Sequence, residues 1–199
     1  MRTTRPTLGR RTLLGALAFA VPAAPVLAGC SNGPAATDAS QALLRDHGLE
    51  GLSAREIIDR LEALPLPERP QDLLASVLPE SLSLSDAAGT EVSLPLPDGE
   101  FYVSIAPFVE ATHECVMHSL TTCLGELQEQ ELEVSVTTAD GEVLLDEVRA
   151  TAPNGFLGLW LPRDQELTVT LAREGASASG PLLTDAEAPT CVTTMQLDA

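Results

Sequence analysis

The sequence predicts an α+β protein in which a small N-terminal helical region precedes an antiparallel β-sandwich of immunoglobulin-like architecture. The helical region is indicated by a capping box, Ser53-Ala54-Arg55-Glu56, followed by apolar residues at helical spacing up to Pro65. Beyond Pro70 the pattern changes to short apolar alternations separated by turn residues. Several such strands at this spacing are typical of an antiparallel sandwich.

The helical region is predicted to be a short pair of helices. Asp38 with Gln41 would begin the first helix, and His47-Gly48 would end it. The second helix would bury one face, formed by Ile57, Ile58, Leu61 and Leu64. An imidazole is stabilised near a helix C-terminus, so His47 is predicted to be structural and not a ligand.

Short strands are predicted along the rest of the chain. A hairpin should form around the turn Asp86-Ala87-Ala88-Gly89, with its apolar residues at 82–84 and 92–94. The later strands are predicted at Phe101–Ile105, Leu132–Thr138, Val143–Val148, Phe156–Leu161, Leu167–Leu171, Gly180–Leu183 and Val192–Leu197. Trp160, the only tryptophan, is predicted to lie in the core.

The N-terminus has the layout of a bacterial lipoprotein signal. Arginines precede an apolar run from Leu13 to Leu27, which is too short and too broken by proline for a transmembrane helix. The end of this run, Leu27-Ala28-Gly29-Cys30, resembles a lipobox, in which the cysteine is diacylated and becomes the first mature residue. Cys30 is therefore predicted to be a lipid anchor and not a ligand. The pair Arg10-Arg11 fits either a twin-arginine or a Sec signal, and both remain open.

These features divide the chain into four predicted parts. They are a lipoprotein signal peptide at 1–29, a lipid-anchored tether at 30–37, a helical and hairpin region at 38–98, and a β-sandwich metal-binding domain at 99–199. The protein would be exported and held by its lipid at the outer face of the cell membrane, in the periplasm or at the cell surface.

Charge excludes one class of partner. Removal of residues 1–29 takes four of the 11 basic residues and none of the 29 acidic ones, which leaves a formal charge of −22. Such a surface repels nucleic acid and anionic lipid, so contact with the membrane is expected through the lipid anchor only. The acidic run Glu126, Glu129, Glu131 and Glu133 is predicted to be a solvated loop and strand edge.

Thiols and imidazoles are concentrated in one segment between two predicted strands. His113, Cys115, His118 and Cys123 lie within it, and Cys191 opens the last strand. In a helix Cys123 would point away from the others, and in a strand His118 would oppose both cysteines. A curved loop is therefore needed to bring them together.

Cys191 would reach this loop if the last strand pairs beside the strand that feeds the loop. Met195 would then share the face of Cys191, because side chains in a strand repeat every two residues.

Several chemistries remain open for this cluster. Exported cysteines are usually in disulfides, and three thiols leave one unpaired, so a structural disulfide with a spare thiol is one alternative. A thiol–disulfide redox protein is another, although Cys-x-x-Cys is absent from the sequence. A metal site is the third: Cu(I) accepts two or three sulfur ligands, and zinc would take Cys3His. A Cys/His peptidase is disfavoured because nothing marks an oxyanion hole or an orienting third group.

At these residues the chain resembles the CueP family of exported bacterial copper-binding proteins. The resemblance extends over nearly the whole mature chain. Its matching stretches are His47–Leu61, Phe101–Pro107, Thr112–Cys115, His118–Leu127, Asn154–Arg163 and Pro189–Thr194. The block His-Ser-Leu-Thr-Thr-Cys at 118–123, together with the distant Pro-Thr-Cys at 189–191, is the most specific part.

The resemblance implies a role in envelope copper tolerance. Its implied ligand thiols are Cys115, Cys123 and Cys191, with His118 and His113 as further candidates. Copper would be bound as Cu(I), and the thiols could reduce Cu(II), so an enzymatic activity is left open. Transfer to an exported enzyme such as superoxide dismutase and formation of a homodimer are further implications. Family members are periplasmic, whereas this chain has a lipobox. Zinc remains the inorganic alternative.

Overall fold

The computed structural model describes residues 34–198, which fold as one α+β unit. The predicted signal peptide, Cys30 and residues 31–33 of the predicted tether lie outside the described residues. Across 34–198, no helix combines the length and the apolar character needed to cross a membrane.

Two α-helices open the described chain. Helix α1 spans Pro34–Asp46 and so begins four residues before the predicted start at Asp38. It stops before Gly48, whose φ of 66° is the left-handed conformation expected at a helix end. Helix α2 spans Ala54–Glu62, and its capping box is confirmed: Ser53 Oγ accepts from Glu56 N, and Glu56 accepts from Ser53 N.

The predicted apolar face of α2 is buried at Ile57, Ile58 and Leu61, whereas Leu64 lies beyond the end of the helix and is only partly buried. Ile57 and Ile58 are fully buried, and burial of side chains of this size contributes about 1.5–3 kcal/mol each. The carboxylate of Glu62 is buried on the same helix and becomes part of the site described below. His47 lies outside that site, with its Nδ1 3.9 Å from Asp72 Oδ1.

Ten strands follow within the described residues and form three sheets. The strands are β1 (Leu73–Val77), β2 (Ser81–Asp86), β3 (Glu91–Pro95), β4 (Glu100–Ile105), β5 (Glu131–Thr138), β6 (Val143–Ala150), β7 (Leu157–Pro162), β8 (Glu166–Arg173), β9 (Ala176–Leu183) and β10 (Cys191–Val192). The strand orders are β1-β2-β3, β10-β4-β7 and β6-β5-β8-β9.

The strand predictions are confirmed in their main lines and corrected at two places. The hairpin around Asp86–Gly89 is β2 and β3. Strand β1 was not predicted, yet it pairs with β2 along its whole length. The last strand was predicted over Val192–Leu197, but β10 has only two residues and runs parallel to β4, so this pair departs from the antiparallel expectation.

Strand β4 is buried on both faces and joins two cores. Phe101, Val103 and Ile105 face the core shared with the β6-β5-β8-β9 sheet. Tyr102 faces the other core, which α2 and the β1-β2-β3 sheet complete. Trp160 is only partly buried at the edge of this second core, and its Nε1 donates to Asp59 Oδ1 at 2.8 Å. An immunoglobulin-like arrangement of these sheets stays a prediction.

Candidate metal centre

The five candidate residues are positioned by a long loop and the strand β10. Residues 106–130 connect β4 to β5 without a helix or a named strand. The expectation that a curved loop carries His113, Cys115, His118 and Cys123 is therefore confirmed. The loop is fixed by contacts with β1, with β10 and with the 152–156 turn, and by a carboxylate of its own.

The first contact is with β1, the strand that was not predicted. Val77 N donates to His118 O at 2.8 Å, and Leu120 N donates to Ala75 O at 2.8 Å. Residues 118–120 thus extend the edge of the first sheet. The His118 backbone N–H also donates to Thr190 Oγ1 at 3.0 Å, which links the loop to the segment before Cys191. The His118 backbone is consequently held from two sides.

The second contact is with β10. Cys191 lies opposite Ser104 in the parallel pair with β4, so the expectation that the last strand brings Cys191 to the loop is confirmed. Val116 O accepts from both Thr190 N at 3.0 Å and Cys191 N at 3.1 Å. Met195 does not join Cys191, because β10 ends at Val192 and the Met195 side chain packs in the core beneath β9.

The third contact is a carboxylate that caps the loop. Glu126 accepts backbone N–H groups from Val109, Glu110 and Ala111, at 3.2, 3.0 and 2.8 Å. The N–H groups, that of Ala111 foremost, outweigh a small desolvation effect and lower the pKa of this carboxyl. Glu126 is exposed in a loop, as predicted for the acidic run, and it also fixes the loop, a role that was not predicted.

A close approach of two glycines completes the frame. Gly125 N donates to Asn154 O at 2.7 Å, and a Cβ at Gly125 would lie 2.6 Å from Gly155 O. Gly155 has a φ of 79°, which favours glycine independently of the contact. Only glycine at both positions lets the 152–156 turn cross the loop this closely, and the turn delivers Asn154 and Phe156 to the site.

Within this frame, the candidate ligands fall into two overlapping sets. Donor atoms of His113, Cys115 and Cys123 lie within 4.8 Å of one another, and so do those of His118, Cys123 and Cys191. Cys123 belongs to both sets, and its Sγ is 3.7 Å from Cys115 Sγ. All three cysteines are free thiols in this structure.

His118 is the most constrained of the candidates. Its side chain is fully buried, and its Nε2 lies 2.8 Å from Glu62 Oε2. The other carboxylate oxygen, Oε1, accepts from Ser104 Oγ at 2.8 Å. With Nε2 committed to a carboxylate, Nδ1 is left as the available nitrogen, and it has no hydrogen-bond partner among residues 34–198. A buried imidazole nitrogen without a partner is the arrangement that a metal ligand requires.

Charge is concentrated on Cys123 and His118. Hydrogen bonding from Cys191 and the neighbouring His118, acting against burial, lower the pKa of Cys123 to about 3. Burial disfavours the charged imidazole, but the neighbouring Cys123 thiolate and the Glu62 carboxylate outweigh it and raise the pKa of His118 to about 9. The metal-free site thus holds a thiolate beside an imidazolium at neutral pH.

The pKa values of the other two thiols, Cys115 and Cys191, are raised. Hydrogen bonding to Cys123 and burial raise the pKa of Cys191, while burial and the Cys123 charge raise that of Cys115. Both are therefore protonated in the metal-free site and would release protons on binding a metal ion.

A known protein family matches most of this chain. The family model described as periplasmic copper-binding protein CueP matches residues 56–196. The chain belongs to the CueP family. A solved structure of S.CueP is 35% identical and has a TM-score of 0.75, covering 79% of this chain and 96% of that one. No curated protein matches the chain.

The CueP-family site contains three residues that sequence reasoning missed. Glu62 orients His118, and Phe156 packs its ring against His118 with centroids 4.6 Å apart. Arg69 is buried and donates from Nη1 to Cys123 O at 2.8 Å, while its Nε and Nη2 have no partner within the described chain. The signal for Glu62 was available, since it lies four residues after Ile58 on the buried face of α2.

Proposed function

We propose that this chain binds copper as Cu(I) at the outer face of the cell membrane and protects the envelope from it. The single observation that carries this proposal is the His118 Nδ1, buried, without a partner and grouped with Cys123 and Cys191. Membership in a family of periplasmic copper-binding proteins indicates that the metal is copper.

The donor set supports Cu(I) over zinc. Each three-residue set offers two thiols and one imidazole, which suits an ion that accepts two or three soft ligands. A structural zinc site would need four ligands in a tetrahedral array, and Cys115 is not grouped within 4.8 Å of His118, Cys123 and Cys191 together. The strongly acidic surface favours the approach of cations in general and does not select between the two.

The test is an anaerobic Cu(I) titration of the reduced chain, as cells export it, against a competing chelator. Wild type should bind Cu(I) stoichiometrically, and Cys123→Ser should weaken binding more than Cys115→Ser or Cys191→Ser, because Cys123 belongs to both sets. His47→Gln removes an imidazole outside the site and is the matched control.

Two outcomes would contradict the proposal. Binding that is equally tight in wild type and in all three serine variants would place copper elsewhere. Displacement of Cu(I) by an equal concentration of zinc would make the chain a zinc protein. Unfolding curves of the metal-free variants establish that any loss of binding is not a loss of fold.

We further propose that the reduced chain can convert Cu(II) to Cu(I). Two thiolates give one electron to each of two Cu(II) ions and become one disulfide, so two Cu(I) ions form per disulfide. The sulfur atoms of Cys115 and Cys123 are 3.7 Å apart and would close to about 2.05 Å. Cys191 would remain a thiolate ligand for the product. An external thiol reductant would have to restore the site.

Counting both products tests this reaction. The anaerobic chain is mixed with Cu(II), Cu(I) is measured with a specific chelator, and residual thiols are counted. Two Cu(I) ions per pair of thiols lost is expected, with Cys191→Ser still forming the disulfide. Cu(I) formation without thiol loss, or equal formation by Cys115→Ser, would refute it.

The remaining parts of this function rest on the sequence and the family resemblance alone. They are acylation at Cys30, a homodimer, and delivery of copper to an exported enzyme such as superoxide dismutase. Acylation is the simplest to test: the mature chain should partition into the membrane fraction, and Cys30→Ala should release it.

A further inference from the structure

We propose that the two ligand sets act in sequence: an outer set of His113, Cys115 and Cys123 captures Cu(I), and an inner set of His118, Cys123 and Cys191 retains it. Cys123 is common to both, so the ion passes inward without leaving the protein. This inference rests on the proposed copper binding and adds a direction of movement within the site.

Exposure separates the two sets. His113 is exposed and Cys115 is partly exposed, so an incoming ion or its carrier can reach them from solvent. His118 is 0% exposed and Cys191 is 2% exposed. An ion in solvent therefore cannot reach His118 or Cys191 directly. It can reach Cys123 from the side of the outer set.

Rigidity favours the inner set as the final position. The backbone of His118 is bonded to β1 and to Thr190, and Glu62 fixes its ring. Cys191 is held in β10 beside β4. The ordering of these side chains is completed on folding, so binding there costs little additional conformational entropy. The outer histidine has an exposed side chain that binding would have to order.

The two imidazoles are close enough for a short transfer. Both contact the ring of Phe156, with centroids 6.2 Å away for His113 and 4.6 Å away for His118. Phe156 is fully buried and cannot itself ligate copper. Cys123 Sγ lies within 4.8 Å of a donor nitrogen of each histidine and is the atom common to the two positions.

The transfer is a ligand exchange that leaves copper as Cu(I). The Cys123–copper bond is kept throughout. Cys191 loses its thiol proton and the imidazolium of His118 loses its Nδ1 proton as they bind; Cys115 takes up one of these protons as it leaves, and the other is released to solvent. His118 Nδ1 replaces the nitrogen of His113. No electron is transferred, and no other reactant is required.

The experiment separates rate from affinity in the reduced chain under anaerobic conditions. Loading from a coloured Cu(I)–chelator complex is followed by stopped flow, and affinity is measured at equilibrium. His113→Gln should slow loading about tenfold and leave affinity nearly unchanged. His118→Gln and Cys191→Ser should weaken affinity about tenfold or more, the scale seen when support of a metal site is lost. His47→Gln should change neither.

The possible results separate failure of the two-set transfer from failure of copper binding itself. If wild type fails to bind Cu(I), the proposed function itself is wrong. If wild type binds but His113→Gln loads at the wild-type rate, or loses as much affinity as Cys191→Ser, the sequence of two sets is refuted and a single site remains. His118→Gln alters a buried residue, so Cys191→Ser carries the inner-set result if that variant does not fold.

Discussion

Glu62 Oε2 lies 2.8 Å from His118 Nε2, and both side chains are buried beneath the loop that carries the thiols. The two residues are separated by 56 positions and belong to α2 and to the 106–130 loop. A helix at the N-terminal end of the described chain therefore determines which nitrogen of a distant histidine faces the sulfur atoms.

Glu62→Gln should weaken Cu(I) binding about 10- to 100-fold, the range for loss of a residue that supports a metal ligand. The amide keeps the shape of the side chain, but it lacks the negative charge and can donate to Nε2, which would transfer the ring proton to Nδ1. Competition titration measures the affinity, and nitrogen NMR shifts of the His118 ring report the tautomer directly.

The control for this substitution is the other histidine–carboxylate pair of the chain. Asp72→Asn alters the carboxylate 3.9 Å from His47 Nδ1, away from the thiols. It should leave both copper affinity and the His118 ring shifts unchanged. Equal effects of the two substitutions would show that Glu62 acts only through general stability.

The stability of the reduced, metal-free chain should depend on pH through Cys123 and His118. The Cys123 pKa falls from 9.0 to about 3 on folding, so its contribution is complete above pH 9 and is lost as the pH falls through 3. The His118 pKa rises from 6.5 to about 9, so its contribution is complete below pH 6.5 and is lost as the pH rises through 9.

The stability advantage of wild type over Cys123→Ser should grow from about pH 3 to pH 6.5. Up to pH 9 it should grow less steeply, because the part of the His118 contribution that depends on Cys123 declines there. Denaturant unfolding of both chains across this range measures it. A constant difference would mean that Cys123 is a thiol in the folded chain.

Gly155→Ala should destabilise the fold more than Gly141→Ala does. Both glycines have positive φ, 79° and 84°, so both substitutions carry the backbone strain of about 1 kcal/mol. A Cβ at Gly155 also meets Gly125 O at 2.6 Å, whereas one at Gly141 meets nothing within 4 Å. The additional cost at Gly155 should be about 1–3 kcal/mol, as for other overpacked sites.

The free energy of unfolding of the two variants provides this comparison. Copper affinity should fall only in Gly155→Ala, because its turn delivers Phe156 to the site. Equal destabilisation by the two substitutions would show that the crossing of the two glycines can relax without cost.

Glu126→Gln should loosen the loop that carries His113 and Cys115. Three backbone N–H groups converge on this carboxylate, and an amide accepts them more weakly because it has no charge. Amide hydrogen exchange at Val109, Glu110 and Ala111 should accelerate, and Glu133→Gln on β5 should leave it unchanged. The pKa of Glu126 is lowered, so wild type should show the same acceleration only as the pH falls through that pKa.

Local patterns were sufficient for α2 and the hairpin but not for β1. The capping box at Ser53 and the turn at Asp86–Gly89 each act within a few residues, and both elements formed where they were predicted. Strand β1 follows a proline-rich stretch and shows little alternation, and its identity depends on pairing with β2 and with residues 118–120. Such pairing is not encoded within five residues.

The metal-donor residues of the site could be predicted from the sequence, but most of the residues that hold them in place could not. Cysteine and histidine are common metal ligands, so the five candidate ligands could be named from residue type alone. Arg69 and Asn154 are ordinary residues of a loop and a turn, and only the tertiary fold brings them to Cys123 and Gly125. Glu62 could have been found from its place on the apolar face of α2.

The carbonyl of Val116 binds the segments of Cys115 and Cys191 together through the main chain, by accepting from both Thr190 N and Cys191 N. The spacing of those two donor positions is thus a property of the backbone and is independent of which side chains occupy them. Substitution of donors by evolution or by design can then change the preferred metal ion while the scaffold stays the same. The same backbone could therefore hold a different metal ion after a change of donor side chains alone.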